Sequence, residues 1–163
     1  MRFTTVVSTE QLAQHLDDPD WIVFDCRFTL SDPESGRRAY LAGHIPGSRY
    51  AHLNDDLSSE VTSTSGRHPL PDLLLLAHKL GRWGVDGNKQ VVVYDDSFGS
   101  MASRMWWLLR WLGHESVALL DGGVQRWIRD GHPMTAEVPV ITPAEFKAQP
   151  DSSMWVDANC IEE

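Results

Sequence analysis

The chain has 163 residues, 42% of them hydrophobic and seven of them tryptophan, which is enough for one globular domain with a sizeable core and a remainder. Its formal net charge of -9 argues against nucleic acid as a partner, because phosphate backbones are bound by clustered Lys and Arg. The apolar runs fall well short of the roughly 20 residues that a membrane-spanning helix needs, so we expect no membrane segment. The start of the chain shows no secretory signal and only Cys26 and Cys160 are present, which predicts a cytoplasmic protein without a disulfide framework.

The first third of the chain shows a helix start followed by a buried strand. Ser8 and Gln11 have the spacing of a capping box, which predicts a short helix that continues to Leu16. The apolar run at 21–24, which ends at Asp25, is typical of a strand buried on both faces of a parallel sheet. The elements expected next are an amphipathic stretch at 37–41, a rigid turn at 43–47 and a short strand at 48–51.

The alternation of helices and strands continues to about residue 134. Gly84 is placed to end a helix, and the pair Gly122 and Gly123 introduces another. The elements expected here are a long loop at 55–71, a helix at 72–83, a strand at 90–94, a helix at 99–112, a strand at 117–120 and a helix at 124–130. This order predicts an α/β fold of three layers, in which right-handed crossovers join the strands of a central parallel sheet.

The C-terminal residues repeat the start of the chain. Residues 140–146 resemble 6–12 and residues 154–157 resemble 21–25, at an offset of about one domain length. We therefore expect a domain at 1–134, a linker at 135–141, and at 142–163 the truncated first helix and strand of a second domain. A lone strand cannot bury its faces, which indicates a piece of a two-domain protein. In the alternative interpretation, the tail is a helix and strand that complete the first domain.

The segment between the strand at 90–94 and the helix that follows it is the candidate site. Helix N-termini at such a strand end favour negative charge and commonly hold nucleophiles or anions. Here the first loop residues are Asp95 and Asp96. An aspartate at this point can cap the helix, and it repels an anionic substrate. The sequence therefore predicts a shaped pocket that lacks its reactive atom.

Five ordered segments give the chain a resemblance to the rhodanese family, in particular to the N-terminal half of tandem thiosulfate or 3-mercaptopyruvate sulfurtransferases. They are residues 24–27, 40–47, 92–95, 104–107, and 120–123 followed by Trp127. The resemblance implies an α/β domain with a central parallel sheet of about five strands, flanked by helices. It also implies a parent enzyme that moves a sulfane sulfur from a small anionic donor to a thiophilic acceptor through a cysteine persulfide. We expect neither a cofactor nor a metal ion.

The chain departs from the catalytic members of that family at the loop. Their loop begins with a cysteine, whose thiolate is activated by backbone N–H groups and the helix dipole. This chain has Asp95 at that place, or Asp96 if the alignment shifts by one, as non-catalytic first domains of the family do. The degenerate loop comprises Asp95, Asp96, Ser97, Phe98, Gly99, Ser100 and Arg104. The resemblance then implies that the fragment alone is inactive and that its partner is a second rhodanese domain carrying the reactive cysteine beyond Glu163.

Other residues have two interpretations each. Cys26 and Cys160 are candidate replacement nucleophiles, although we expect Cys26 to be a packed, inert thiol. Arg104 supplies either a donor fork to an anion or a salt bridge to Asp95, Asp96 or Asp121. Four residues are candidates for the wall of an inter-domain cleft, and their alternative is a structural or solvated role: His44, Arg27, Arg37 and Arg38.

Two other functions compete with the tandem enzyme. One is a free-standing, inactive rhodanese-like module that binds a protein or an anion. The other is a phosphatase of the same fold, but that chemistry also needs a loop cysteine and an arginine to close the anion cradle.

Overall fold

A single five-stranded parallel sheet forms the centre of the molecule, as the computed structural model of residues 2–156 shows. The strands lie in the order β1-β5-β4-β2-β3. Their bounds are β1 Val6–Val7, β2 Trp21–Asp25, β3 Arg49–Tyr50, β4 Gln90–Tyr94 and β5 Val117–Leu120. The predicted α/β class and parallel sheet are confirmed. The sequence did not predict β1, because two residues are too few to show a strand pattern.

Helices cover both faces of the sheet. Their bounds are α1 Thr9–Ala13, α2 Ser35–Ala42, α3 Leu73–Arg82, α4 Ala102–Trp111 and α5 Gly123–Arg129. The predicted capping box of α1 is present, with Ser8 Oγ accepting from the Gln11 amide at 3.2 Å. No helix in the described range 2–156 is long and apolar enough to cross a membrane.

Two hydrophobic clusters lie on opposite faces of the sheet. Every residue of β4 is buried, and its side chains alternate between the clusters. Val91 and Val93 join the cluster under α3 and α4, whereas Val92 and Tyr94 join the cluster under α1 and α5. A strand buried on both faces explains why the runs at β2 and β4 are apolar without alternation.

The C-terminal segment differs from its prediction. Residues 136–151 contain neither helix nor strand, so the helix expected by analogy with the start of the chain is wrong. The segment instead crosses the ends of α3 and α4, with the Ala144 amide donating to Gly81 O at 2.8 Å and the Gln149 amide to Leu112 O at 2.8 Å. Phe146 packs into the core and is 8% exposed. These tertiary contacts replace the bonds of a local helix.

A short 3-10 turn, Ser152–Met154, follows where the second repeated strand was expected to begin. Asp157, the end of that expected strand, lies outside the described residues, as does the remainder of 157–163. The division of the chain into a domain, a linker and the start of a second domain stays a prediction.

Candidate functional site

The loop at 95–101 lies at the carboxyl end of β4, where it leads into α4. The carboxylate of Asp95 accepts four backbone N–H groups of this loop. Oδ1 accepts from Ser97 and Gly99, each at 2.9 Å, and Oδ2 accepts from Met101 at 2.8 Å and Ala102 at 2.9 Å. The side chain is 1% exposed. Asp95, of the two aspartates considered, is therefore the one whose carboxylate caps the start of α4, although it lies six residues before the N-cap residue Met101, and its charge fills the space on which the amides converge.

A glycine on the neighbouring strand end makes room for this loop. The Val124 amide donates to Asp95 O at 3.0 Å. A Cβ atom on Gly123, whose φ is +58°, would lie 2.5 Å from the same oxygen. Only glycine combines that approach with that backbone conformation. Gly123 thus lets α5 begin against the loop, while Gly122 is the N-cap of that helix.

Three other loop residues, Asp96, Phe98 and Ser100, lie at the surface, whereas Ser97 and Gly99 are half-buried. Asp96 is exposed, and its main-chain oxygen accepts from Gln125 Nε2 at 2.5 Å. Phe98 is fully exposed and has a φ of +59°. The hydroxyl of Ser100 donates to Ser97 O. The loop is therefore a closed turn around Asp95 whose outer residues face solvent.

A buried ion pair lies at the carboxyl end of the adjacent strand, β2. Arg27 donates to Asp25 Oδ2 through Nε at 2.9 Å and Nη2 at 2.5 Å, and Tyr94 Oη donates to the same oxygen at 2.8 Å. Burial alone would lower the pKa of the Arg27 guanidinium, but the hydrogen bonds and charge of Asp25 outweigh it and raise that pKa. Burial and the charge of Asp25 raise the pKa of Tyr94. The Arg27 charge is thus neutralised within the domain.

His44, a candidate for the cleft wall, is completely buried. Its Nδ1 lies 2.7 Å from Tyr40 O, its Nε2 lies 3.1 Å from Glu137 O, and its ring stacks on Tyr40 with centroids 3.9 Å apart. The His44 amide also donates to Thr135 O at 2.8 Å. These contacts match the structural interpretation, in which His44 fixes the turn before Pro46.

Arg37 and Arg38, the other cleft candidates, project from α2 into ion pairs. Arg37 lies 3.3 Å from Glu34 and 3.4 Å from Asp55, and Arg38 lies 2.5 Å from Asp32. Neither contacts the loop at 95–101 within the part of the chain that the structure describes. Arg27 donates to Gly43 O, next to His44, at 2.8 Å, and Arg37 lies over the ring of Tyr50, whose hydroxyl donates to Arg27 O.

Arg104 has no carboxylate partner among residues 2–156, so of its two interpretations the salt bridge to Asp95, Asp96 or Asp121 is wrong, and the donor fork to an anion stays a prediction. Its guanidinium donates only to main-chain carbonyls: to Leu57 at 3.2 Å, His68 at 3.1 Å and Pro69 at 2.9 Å. Burial lowers the pKa of this guanidinium. Arg104 thus holds the long loop at 55–71 against α4 and brings an uncompensated positive charge to it.

The sequence interpretation did not single out His68, which lies beside that charge. Neither ring nitrogen of His68 has a hydrogen-bond partner among the described residues. Burial and the positive charges of Arg104 and Arg67 lower the pKa of the imidazole. The only signal in the sequence is an Arg-His pair in the longest loop, and its relation to Arg104 depends on the fold.

Cys26 is enclosed in the core and 2% exposed. Its Sγ lies 3.8 Å from Met105 Sδ. Burial and the charges of Asp25 and Asp95 raise the pKa of the thiol well above its usual value. Cys26 is the packed thiol that the sequence predicts, whereas Cys160 lies outside the described residues.

One group of described side chains has metal-ligating atoms within 4.8 Å of one another: Glu34, His52 and Asp55. Arg37 already bridges the two carboxylates, and His52 Nδ1 accepts the Asp55 amide at 3.1 Å. Internal partners therefore occupy the donor atoms that a cation would need.

Comparison with known proteins identifies what the chain is similar to. The family model of the rhodanese-like domain matches residues 8–130. A probable 3-mercaptopyruvate sulfurtransferase of Pseudomonas aeruginosa is 45% identical over 99% of this chain and 58% of its own length. A thiosulfate sulfurtransferase of Cricetulus griseus is 32% identical over 93% of this chain and 52% of its own length.

Solved structures show the same similarity. A 3-mercaptopyruvate sulfotransferase from Escherichia coli superposes with a TM-score of 0.83 and 30% identity, over 98% of this chain and 61% of that one. A 3-mercaptopyruvate sulfurtransferase from Leishmania major gives a TM-score of 0.79 and 28% identity, over 90% of this chain and 40% of that one. The chain spans about half the length of the curated relatives it matches.

Proposed function

This chain belongs to the rhodanese-like domain family, and we propose that it is the non-catalytic N-terminal half of a two-domain sulfurtransferase. In that enzyme a sulfur atom passes from thiosulfate or 3-mercaptopyruvate to a cysteine thiolate of the second domain, with sulfite or pyruvate as the leaving group. The resulting persulfide then gives its outer sulfur to a thiophilic acceptor. This half scaffolds the second domain and forms part of the wall of its active site. The cysteine content supports a cytoplasmic location for the protein.

The position of Asp95 carries the proposal. A persulfide requires a thiolate nucleophile, and amides that converge at a helix start are a suitable environment for one. Here all four converging amides bind the Asp95 carboxylate, and Cys26 is enclosed with a raised pKa. The loop keeps the shape of an anion cradle but has no atom that can accept a sulfur.

The charges around Arg104 support a small anionic donor at the cleft. Arg104 binds carbonyls alone, and His68 beside it has two unpartnered nitrogens. Arg104 has no carboxylate partner in the described range, and the charge of Arg67 also acts on the His68 ring. Arg27, Arg37 and Arg38 are each paired with a carboxylate, so their contribution to a cleft is smaller.

The internal repeat and the lengths of the relatives support a second domain. Residues 140–146 repeat residues 6–12, and the relatives are about twice as long as this chain. One observation favours the alternative of a free-standing binding module: the segment at 141–151 bonds to α3 and to the end of α4, and thus to its own domain.

Turnover of the chain and of a chimera tests the proposal. In the chimera, this chain replaces the matching part of the Pseudomonas aeruginosa relative. We expect the chain alone to show only background thiocyanate or sulfide formation, and the chimera to turn over thiosulfate or 3-mercaptopyruvate. A folded chimera without turnover, or a chain that is active alone, contradicts the proposal.

A further inference from the structure

Phe98 combines two properties that each cost the isolated domain free energy. Its side chain is 100% exposed at the outer turn of the loop, so a large apolar ring lies in water. Its φ of +59° lies in the left-handed region, where a bulky residue is a rare outlier. The next residue, Gly99, also has a positive φ, of +87°, but pays no such steric cost. Outliers of this kind concentrate at ligand clamps and functional sites.

The ring does not hold the loop together. Asp95 Oδ1 binds the amides of Ser97 and Gly99 on either side of Phe98, and Gln125 binds Asp96 O. The contacts that fix the backbone would therefore survive removal of the phenyl group. The loop therefore holds an exposed Phe98 in a fixed position.

An exposed aromatic side chain on a rigid loop is suited to binding another protein surface. It brings a large contact area and loses little conformational entropy when it is covered, which is the property of interface anchors. It also lies in the degenerate loop, beside the Asp95 carboxylate that the proposed function invokes.

We propose that Phe98 is the anchor through which this domain binds the second rhodanese-like domain of the same polypeptide, with the phenyl ring entering an apolar pocket there. The inference rests on the proposed function. The repeat that begins at residue 140 and the doubled length of the relatives identify this occupant.

Hydroxyl-radical footprinting of the chain and of the chimera tests the anchor directly. In the isolated chain, Phe98 should be oxidised rapidly. In the chimera, its oxidation should fall to the rate of the buried Phe24, while the exposed controls Leu74 and Ile128 keep their rates. Equal oxidation of Phe98 in both proteins overturns the proposal. Protection that increases with concentration in the isolated chain also overturns it, because the ring would then bind a second copy of this chain.

The substitution Phe98→Gly tests the anchor in a second way, because it should affect the melting temperature differently in the isolated chain and in the chimera. In the isolated chain it relieves the backbone and removes an exposed ring, so the melting temperature should stay equal or rise. In the chimera it should lower the melting temperature and raise KM. The control substitution Ile128→Ser should leave KM unchanged and should shift the melting temperatures of the chain and the chimera equally. Equal effects of Phe98→Gly in both proteins would overturn the anchor.

The Phe98 anchor and the proposed function can be contradicted independently. An active chimera with an unprotected Phe98 overturns the anchor and leaves the proposed function. A folded, inactive chimera in which Phe98 is protected overturns the proposed function and leaves the anchor.

Discussion

Asp95 Oδ2 lies 2.9 Å from the main-chain nitrogen of Ala102, the first residue of α4. This bond and the three others that the carboxylate accepts make Asp95 both the cap of the helix and the resident anion of the loop. One side chain thus stabilises the loop and occupies all four of its converging amides.

Replacing Asp95 by alanine should destabilise the isolated chain by about 2 kcal/mol, because a helix cap is lost and several amides are left without a charged acceptor. Urea unfolding measures the change. Asp96→Ala is the matched control, since the Asp96 side chain is exposed and the loop uses only its main-chain oxygen. If both substitutions shift the midpoint equally, the assignment of the cap to Asp95 is wrong.

Gly123→Ala should be more destabilising than Gly131→Ala. Both glycines have a positive φ, +58° and +79°, so both substitutions introduce backbone strain of about 1 kcal/mol. Only the Cβ at 123 also collides with Asp95 O, at 2.5 Å, whereas the Cβ at 131 meets nothing within 4 Å. Thermal unfolding of the two variants isolates the contact. Equal melting temperatures would show that the loop can move away from the new Cβ at position 123 without a loss of stability.

The Cys26 thiol should resist alkylation until the chain unfolds. In a Cys160→Ser variant, iodoacetamide at pH 8 should label Cys26 only with denaturant present, because the thiol is buried and its pKa is raised. The sign of the pH effect follows from the raised pKa. The stability that the thiol contributes is complete below its unfolded pKa of about 8.5 and declines as the pH rises toward the folded pKa. Fast labelling of the folded chain would contradict the buried assignment.

Arg104→Lys should loosen the loop at 55–71 while keeping the positive charge. Lysine cannot reproduce the planar donor fork that reaches Leu57, His68 and Pro69, so carbonyls lose their partners. Limited proteolysis should cut this loop faster in Arg104→Lys than in the parent. Arg110→Lys on the same helix is the control, because Arg110 lies over the ring of Trp106 and does not reach the loop. An unchanged cleavage rate would reject the tethering role.

The sequence predicted the elements whose signals are local. The apolar runs of β2, β4 and β5 and the capping box at Ser8 each carry their information within a few residues, and all are present. The aspartate in the loop likewise predicted a helix cap without a nucleophile. The local sequence does not show whether Asp95 or Asp96 accepts the N–H groups at the start of α4. The loop geometry shows that it is Asp95.

The parts that the sequence did not predict depend on distant contacts. The tail was expected to form a helix, but its Ala144 amide bonds to Gly81 across the surface of the domain. One of the two interpretations of Arg104 paired it with an aspartate, yet it bonds to the carbonyl of His68, 36 residues away. No spacing in the sequence indicates which carbonyls a folded loop presents to a guanidinium.

Mass spectrometry of the chain after incubation with thiosulfate or 3-mercaptopyruvate tests the central claim, that Asp95 leaves this domain without a sulfur acceptor. The isolated chain should keep its mass, and the chimera should gain one sulfur atom on a cysteine outside the part contributed by this chain. A gain of one sulfur atom on the isolated chain, located at Cys26 and abolished by Cys26→Ser, would contradict the account and move the reactive centre to that thiol.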